Sequence, residues 1–457
     1  MIGTLKFSSR ITYGRNKRNI PYFLFTAPNL EDNIVVSSKQ GCKTNIDNYA
    51  IIEIINSETT PMRGALIKLI GPVNDYQSSY NYILHKYNVI SSNCCIQLQN
   101  SNEINQRLDL THLLTYSIDP EGCQDIDDAF SYDDDIIYIH ITDLTCYKLN
   151  QIEILSNISS TFYTPEKNYN MLDEIISHNE SSLLEGQERD CITMIVQDDI
   201  IEFKQTTIIV DKNLTYDDEI DNQLMNKLNV NDTHELIEKL MIMYNHNFAK
   251  HLNNLNIEFP IRIHKGIKEQ FKNCSLREDL IRKLCFESAV YQSSTENEIF
   301  HYGLELEYYT HATSPLRRFI DIVNQHILIK QTQFDITTIC NSINERNKQL
   351  KACNRDLIML NLLNQDIEYE YDAIITNFNE CIVNAYIEDL DISVPVIVIS
   401  NKIKDVFNFE INDNNLIITK KSDNSIMEFQ LLEQIRIKTM ITPNESSLNR
   451  KIRFYLL

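Results

Sequence analysis

The hydrophobic period of this chain changes twice, and that change limits the folds open to it. In the first hundred residues, short apolar runs such as YFLFTAP, NYAIIEIIN and GALIKLIG sit between turn breaks, as strands of a small barrel or sheet do. Between about residues 111 and 210 strands and helices mix; 133–135 reads as a turn and Ile136 to Ile141 as a buried strand. Asp232 or Thr233 can cap a long helix in which Leu236, Ile237, Leu240, Met241, Tyr244, Phe248 and Leu252 recur at helical spacing and read as core. Further helices are predicted from Asp279 to about Tyr291, from near Pro315 to about Ile329, and between about Ile343 and Leu363. Pro315 suits a first turn, where a missing N–H costs nothing. From about Tyr371 the strand pattern returns in CIVNAYI, VPVIVIS, LIITKK, IRIKTMI and IRFYLL, so a domain boundary is expected near residue 368.

At 457 residues and 43% hydrophobic, the chain is long and apolar enough for a large core and two to four globular domains. Its net charge of -22 argues against a general nucleic-acid binder, which presents a basic face. A local basic channel, or an acidic floor neutralised by metal ions, stays compatible with that charge. The 11 cysteines are scattered, with one adjacent pair, Cys94 and Cys95, and no C-x-x-C, which speaks against a disulfide framework and against structural zinc. No apolar run approaches the roughly 18 residues of a membrane span. The start, MIGTLKFSSRITYG, lacks the apolar core of a signal peptide. An intracellular, cytoplasmic protein without membrane association is expected.

Two segments carry chemistry. In DPEGCQDIDDAF, Asp119 to Phe130, the residues Asp125 and Asp127 are two apart and point the same way in an extended segment. Asp119 can reach the same point across a turn through Pro120 and Gly122, and Asp128 completes an anionic pocket. Carboxylates this close repel unless something positive sits among them. An all-oxygen set suits hard dications, and magnesium borrows substrate phosphates as ligands. Two such ions activate a water and stabilise a leaving oxygen. On these residues alone a solvated acidic turn stays open; a calcium loop fits less well, because the D-x-[DN]-x-[DN]-G order is missing. The run DDD at 133–135 reads as surface.

The second segment is HYGLELEYYTHATSPLRRFID, His301 to Asp321. Arg317 and Arg318 point in different directions on a helix, so one can grip a phosphate while the other pairs with an acid. A helix N-terminus also attracts phosphate. Alone, an arginine pair is equally a surface feature; together with the acidic cluster it points to phosphodiester hydrolysis.

These segments, with IYIHITDLTCYK, LTY at Leu214 to Tyr216 and MLDEIISHNESSLLEGQERDCITM, occur in the order and spacing of the RNase II / RNase R family, and the chain resembles that family over roughly residues 105 to 366. The resemblance implies an α+β fold: an RNB catalytic domain at 105–368, a cold-shock-like OB region at 1–104 and an S1-like β-barrel at 369–457. Residues 1–45 look short for a barrel of their own. No endonucleolytic domain is expected ahead of the OB region. The implied activity is metal-dependent, processive 3′-to-5′ hydrolysis of single-stranded RNA to nucleoside 5′-monophosphates. Asp119, Asp125, Asp127 and Asp128 match the family's catalytic aspartates and would hold two Mg2+ ions, with Mn2+ as a substitute. Arg317 matches the arginine that holds a terminal phosphate, with Arg318 beside it. Tyr163 matches an aromatic near the last base, and Tyr216 a tyrosine near the scissile phosphate. Read without the family, either tyrosine reads as core. Arg189, Arg262 and His264 match positions that touch RNA or brace the channel. A monomer is expected, and the acidic surface leaves room for an accessory protein that feeds RNA.

The sequence departs from the family at Gln325 and His326, where relatives carry His and Arg, at Asn354, where some carry a glutamate, and at Asp173. Every metal-binding carboxylate is kept, so an active enzyme is expected. The alternatives are a catalytically weak or inactive RNB-fold RNA-binding protein and a nuclease acting on DNA.

Overall fold

The structure, a computed structural model, describes residues 1–11, 13–28, 33–40, 45–57, 59–90, 99–100, 106–149, 158–218, 222–267, 271, 280–365, 367–400, 403–412, 414–442 and 451–457. The Cys94–Cys95 pair, the expected boundary at 104–105 and the start of the helix predicted at Asp279 lie outside these residues. The chain divides into two compact units. One holds Met1–Ser91, Asn273–Leu276 and Gln349–Leu457, and the other Ser92–Lys272 and Arg277–Lys348.

In the first unit, strands Ile2–Leu5, Tyr22–Thr26, Ile34–Ser37, Met62–Pro72 and Asn48–Asn56 close a barrel in that order. Its inward side chains include Leu5, Phe25, Ile34, Val36, Ala50 and Ile52, the alternate positions that a period of two sends to one face. Residues 1–45 therefore supply three strands of the same barrel that NYAIIEIIN and GALIKLIG complete. A second barrel joins Glu370–Asn379, Ile382–Ile387, Ile392–Ile397, Ile452–Leu456 and Gln434–Ile441. The sheet Phe407–Ile411, Asn415–Lys420 and Ile426–Gln430 adds Leu416, Ile418 and Phe429 to its core. Met359 and Leu362, near the end of helix Ile336–Gln365, join the same core. This two-barrel, α+β arrangement is the predicted fold class.

The second unit is built on a seven-stranded sheet in the order Lys212–Leu214, Thr115–Ile118, Asp128–Asp133, Ile136–Thr142, Glu188–Gln197, Ile200–Ile209 and Leu108–Asp109. Ile137, Ile139 and Ile141 of the central strand share a core with Leu236, Leu240, Tyr244, Phe248 and Leu252 of helix Thr233–Asn254. His140 is buried in that strand because Ser131 Oγ (2.9 Å) and Thr193 Oγ1 (2.8 Å) satisfy both ring nitrogens. Asp134 and Asp135, with φ of 45° and 68°, make the two-residue turn that joins Asp133 to Ile136. Asp232 is the cap of helix Thr233–Asn254, accepting from Glu235 N at 2.8 Å.

Two helix predictions are corrected. The segment predicted from Asp279 to Tyr291 holds a single π turn, Ile281–Cys285, and then the strand Val290–Ser293. That strand pairs with Pro260–Ile263, where Val290 and Tyr291 have the shape that a pleated ladder favours. The later helix runs Phe319–Lys330 and not from Pro315. Ser314 N donates to Asp321 Oδ1 and Leu316 N to Asp127 Oδ1, both at 2.8 Å, and Arg318 is then extended in a bridge to Ser160, with Phe319 N donating to Ser159 O at 2.9 Å, so the chain turns before the helix begins.

Gln325 on that helix is fully buried. Its Nε2 donates to Thr142 O at 2.8 Å and its Oε1 accepts from Leu144 N at 3.1 Å. Thr142 N in turn donates to Asp127 O at 3.0 Å. The departure from the family pattern at this position is thus a satisfied brace behind the acidic turn. Gln325→Leu leaves a buried N–H and a buried C=O without partners and is expected to lower stability by about 2–4 kcal/mol. A drop in the urea midpoint measures it, and an unchanged midpoint refutes the brace.

Candidate active site

A cavity of about 580 Å³ in the second unit is lined by Asp119, Asp125, Asp127, Asp128, Tyr163, Tyr216, Arg317 and Arg318, and also by Cys123, Glu238, Met241, Asn245 and Tyr309. The acidic turn is shaped residue by residue. Asp119 N donates to Leu214 O at 3.0 Å, anchoring the turn to the neighbouring strand. Gly122, at φ +79°, takes the left-handed conformation that closes the turn back through Cys123 N to Pro120 O. Ile126 is buried beside Leu183 and its N–H donates to Ser182 Oγ at 3.1 Å. With Ile126 turned into the core, Asp125 and Asp127 turn the other way.

Asp127 is 2% exposed. Its Oδ2 accepts from Arg317 Nε at 3.1 Å and its Oδ1 from Leu316 N at 2.8 Å. Arg317 Nη2 donates to Ser314 Oγ at 2.8 Å, yet the arginine side chain stays 42% exposed. Arg318 points elsewhere, to Asp321 Oδ1 at 2.8 Å and Thr313 Oγ1 at 3.2 Å. The sequence leads one to expect a single arginine committed to an acid; both are. Asp125 Oδ2 accepts from the Tyr163 hydroxyl at 3.1 Å. Asp119 Oδ2 is buried without a partner.

The electrostatics follow from this crowding. Burial pushes the Asp119 carboxyl up to about 6. Burial and the neighbouring Asp119 push Asp128 up to about 7. Burial also raises Asp127, against the pull of Arg317 and the Leu316 N–H. Burial opposes the charge on Arg317, but Asp127 and the acids around it outweigh that and keep the guanidinium charged. Burial, then Asp119 and Asp125, push the Cys123 thiol up to about 12, so it is no thiolate nucleophile at neutral pH.

Among the described residues, no three histidine, cysteine, aspartate or glutamate side chains already stand close enough to hold a metal ion. The donor set nevertheless fits a hard dication. Its donors are carboxylate oxygens, one of them an orphaned buried atom, and the raised carboxyls lack a counter-charge that a cation supplies.

Tyr163, 47% exposed, and the partly buried Tyr216 both line the cavity. Arg189, Arg262 and His264 do not. The Arg189 guanidinium donates to the carbonyls of Ser182 (2.8 Å), Glu188 (2.9 Å) and Asn179 (2.7 Å), which braces the loop that carries Ser182. Arg262 lies over the Tyr291 ring at 4.7 Å, and the His264 ring is 5.0 Å from those of Phe286 and His301. Sequence reasoning missed Glu238 and Asn245 and assigned Met241 to the core. These three fall at i, i+3 and i+7, one face of helix Thr233–Asn254. That spacing is the available signal, but it does not say which face a cavity occupies.

Asp119 and Asp128 are raised in the folded chain, so it binds more protons than the unfolded chain between about pH 4 and pH 7. Their contribution is present at the acid end and lost as pH rises through about 6 to 7. Buried imidazoles act oppositely: burial lowers His140 to about 3 and His301 and His326 to about 4, removing stability as pH falls. The difference between the parent and Asp128→Asn isolates one carboxyl. With divalent metal chelated, the parent's stability relative to that variant is expected to decline from about pH 4 to pH 8. Urea unfolding at each pH reads this difference, and a flat difference refutes it.

The chain matches the RNB domain family over residues 107–229 and 201–333. Ribonuclease R of Chlamydia pneumoniae is 23% identical over 408 residues, covering 63% of this chain and 59% of that protein. The chain thus spans less than two thirds of the length of that relative. Mycoplasma genitalium RNase R, solved in complex with ribose-methylated single-stranded RNA, superimposes with a TM-score of 0.75 at 16% identity, covering 100% of this chain and 90% of that one. Yeast Ssd1, described as a pseudonuclease, gives 0.66 at 12% identity, covering 100% and 82%. No helix among the described residues is long and apolar enough to cross a membrane. With the matching domain, the quoted motifs around one cavity and the shared fold, the chain belongs to the RNase II / RNase R family.

Proposed function

We propose that the protein is a divalent-metal-dependent exoribonuclease that hydrolyses single-stranded RNA processively from its 3′ end to nucleoside 5′-monophosphates. The observation that carries this reading is the convergence of four aspartates, an arginine and two tyrosines on one cavity. Asp119, Asp125, Asp127 and Asp128 are the oxygens that would hold magnesium, or manganese in its place. When bound, such ions supply an activated water and stabilisation of the leaving 3′ oxygen. Arg317, charged and half-exposed, is placed to grip a phosphate of the terminal nucleotides. Tyr163 and Tyr216 offer ring faces and hydroxyls, which suit a chain of any sequence. RNA is taken as the substrate because the matched relatives are ribonucleases by name. One of the superimposing structures holds single-stranded RNA.

A second reading, an inactive RNA-binding protein, has its own support: Asp127 is already occupied by Arg317 and Leu316 N, and one similar structure is a pseudonuclease. One experiment separates the two. A 5′-labelled oligo(A) incubated with the protein and magnesium is expected to end as very short products. Asp125→Asn, at a cavity carboxylate outside the Asp127 clasp, should cut the rate at least about 100-fold while RNA binding and the melting temperature are kept. RNA that binds but stays whole with either magnesium or manganese selects the inactive reading. A DNA oligomer of the same sequence, digested equally fast, overturns the ribose requirement.

A further inference from the structure

We infer that His234 is a positioning residue for Tyr216, a plate behind the tyrosine that fixes how its ring meets the nucleotide chain. The inference deepens the proposed ribonuclease reading and rests on it. The two rings are parallel within 3° and their centroids are 3.9 Å apart. Tyr216 lines the acidic cavity, while His234 is exposed on the helix and is not a lining residue.

The backbone on both sides of this pair is held firmly. Thr233 Oγ1 donates to Tyr216 O at 2.6 Å. Asp218 Oδ2 accepts from Thr215 N at 2.8 Å and from Thr215 Oγ1 at 3.0 Å. The helix start that carries His234 is capped by Asp232, and Glu235 Oε2 accepts from Asn231 N at 2.8 Å and from Asn231 Nδ2 at 3.0 Å. The Tyr216 ring packs in part against the apolar core, and among the described residues its hydroxyl has no hydrogen-bond partner. The imidazole, stacked flat on the ring, is the aromatic contact that holds its plane. It covers one ring face, while the tyrosine also lines the cavity. A bound RNA end then meets a tyrosine of fixed orientation.

His234 is exposed, so replacing it opens no hole in the core. Aromatic pairs of this kind contribute about two- to tenfold to an equilibrium constant. His234→Ala is expected to weaken binding of labelled oligo(A), measured by anisotropy with metal chelated, by about that factor, with the melting temperature unchanged. His234→Phe, which keeps a flat ring, should restore it. The chain has no tryptophan, so His234→Trp introduces a single tryptophan, excited selectively over the tyrosines, at the stack. Its emission should shift when Tyr216→Ala is added, and shift again when oligo(A) binds.

Binding by His234→Ala equal to the parent overturns the inference. So does failure of His234→Phe to restore binding, or a tryptophan signal blind both to Tyr216→Ala and to RNA. If parent binding is measurable and only these outcomes fail, the ribonuclease reading survives without the plate. If the parent binds no RNA, that reading falls and the inference with it.

Discussion

The clasp between Asp127 and the turn at Ser314–Arg317 is the constraint on which the rest of the second unit depends. Asp127 accepts one bond from the Leu316 backbone and one from the Arg317 guanidinium, joining segments 190 residues apart in sequence. A carboxylate this buried is tolerable only with such partners. The following helix begins only at Phe319, because Arg318 is extended in a bridge to Ser160, with Phe319 N donating to Ser159 O at 2.9 Å and Thr161 N donating to Arg317 O at 3.0 Å. One side chain thus fixes where an arginine points and ties its turn to the acidic segment.

Charge in this protein works locally. The total of -22 is spread over the whole chain, and salt screens such a field within roughly 8 Å. Two unit charges 4 Å apart at an effective dielectric near 20 interact by about 4 kcal/mol. A guanidinium beside the cavity therefore acts on a phosphate far more strongly than the distant surface does. The surface term bears on capture instead: a net negative protein meets a polyanion more slowly.

Much of the architecture was legible in the sequence because it rests on periodicity. The strand alternation in NYAIIEIIN and in the tail, and the helical spacing from Leu236 to Leu252, are local patterns that burial reads directly. The spacing of Asp125 and Asp127 around Ile126 was legible for the same reason. The misreadings come from contacts between segments far apart in sequence. Pro315 reads as a helix start until the segment 159–161 bridges Arg318 and holds it extended. Val290 and Tyr291 read as helix until Pro260–Ile263 offers a ladder. Arg189 matches a position open to either role in the family, and only its three carbonyl acceptors show how its guanidinium is used.

The departures from the family pattern bear on function unequally, and burial decides which matter. Gln325 replaces a potentially charged side chain with one whose amide satisfies a backbone donor and a backbone acceptor at once. A buried, fully bonded amide carries no desolvated charge, so the substitution keeps the brace without the cost of an ion in the core. Asn354, by contrast, is solvent-exposed on its helix, where loss of a charge has little effect on folding. A change at Gln325 acts on the strand end beside Asp127, and so on the position of the carboxylate that the clasp holds. The scaffold at Gln325 is thus satisfied internally by a neutral amide, whereas the acidic turn presents oxygens that no neutral amide replaces.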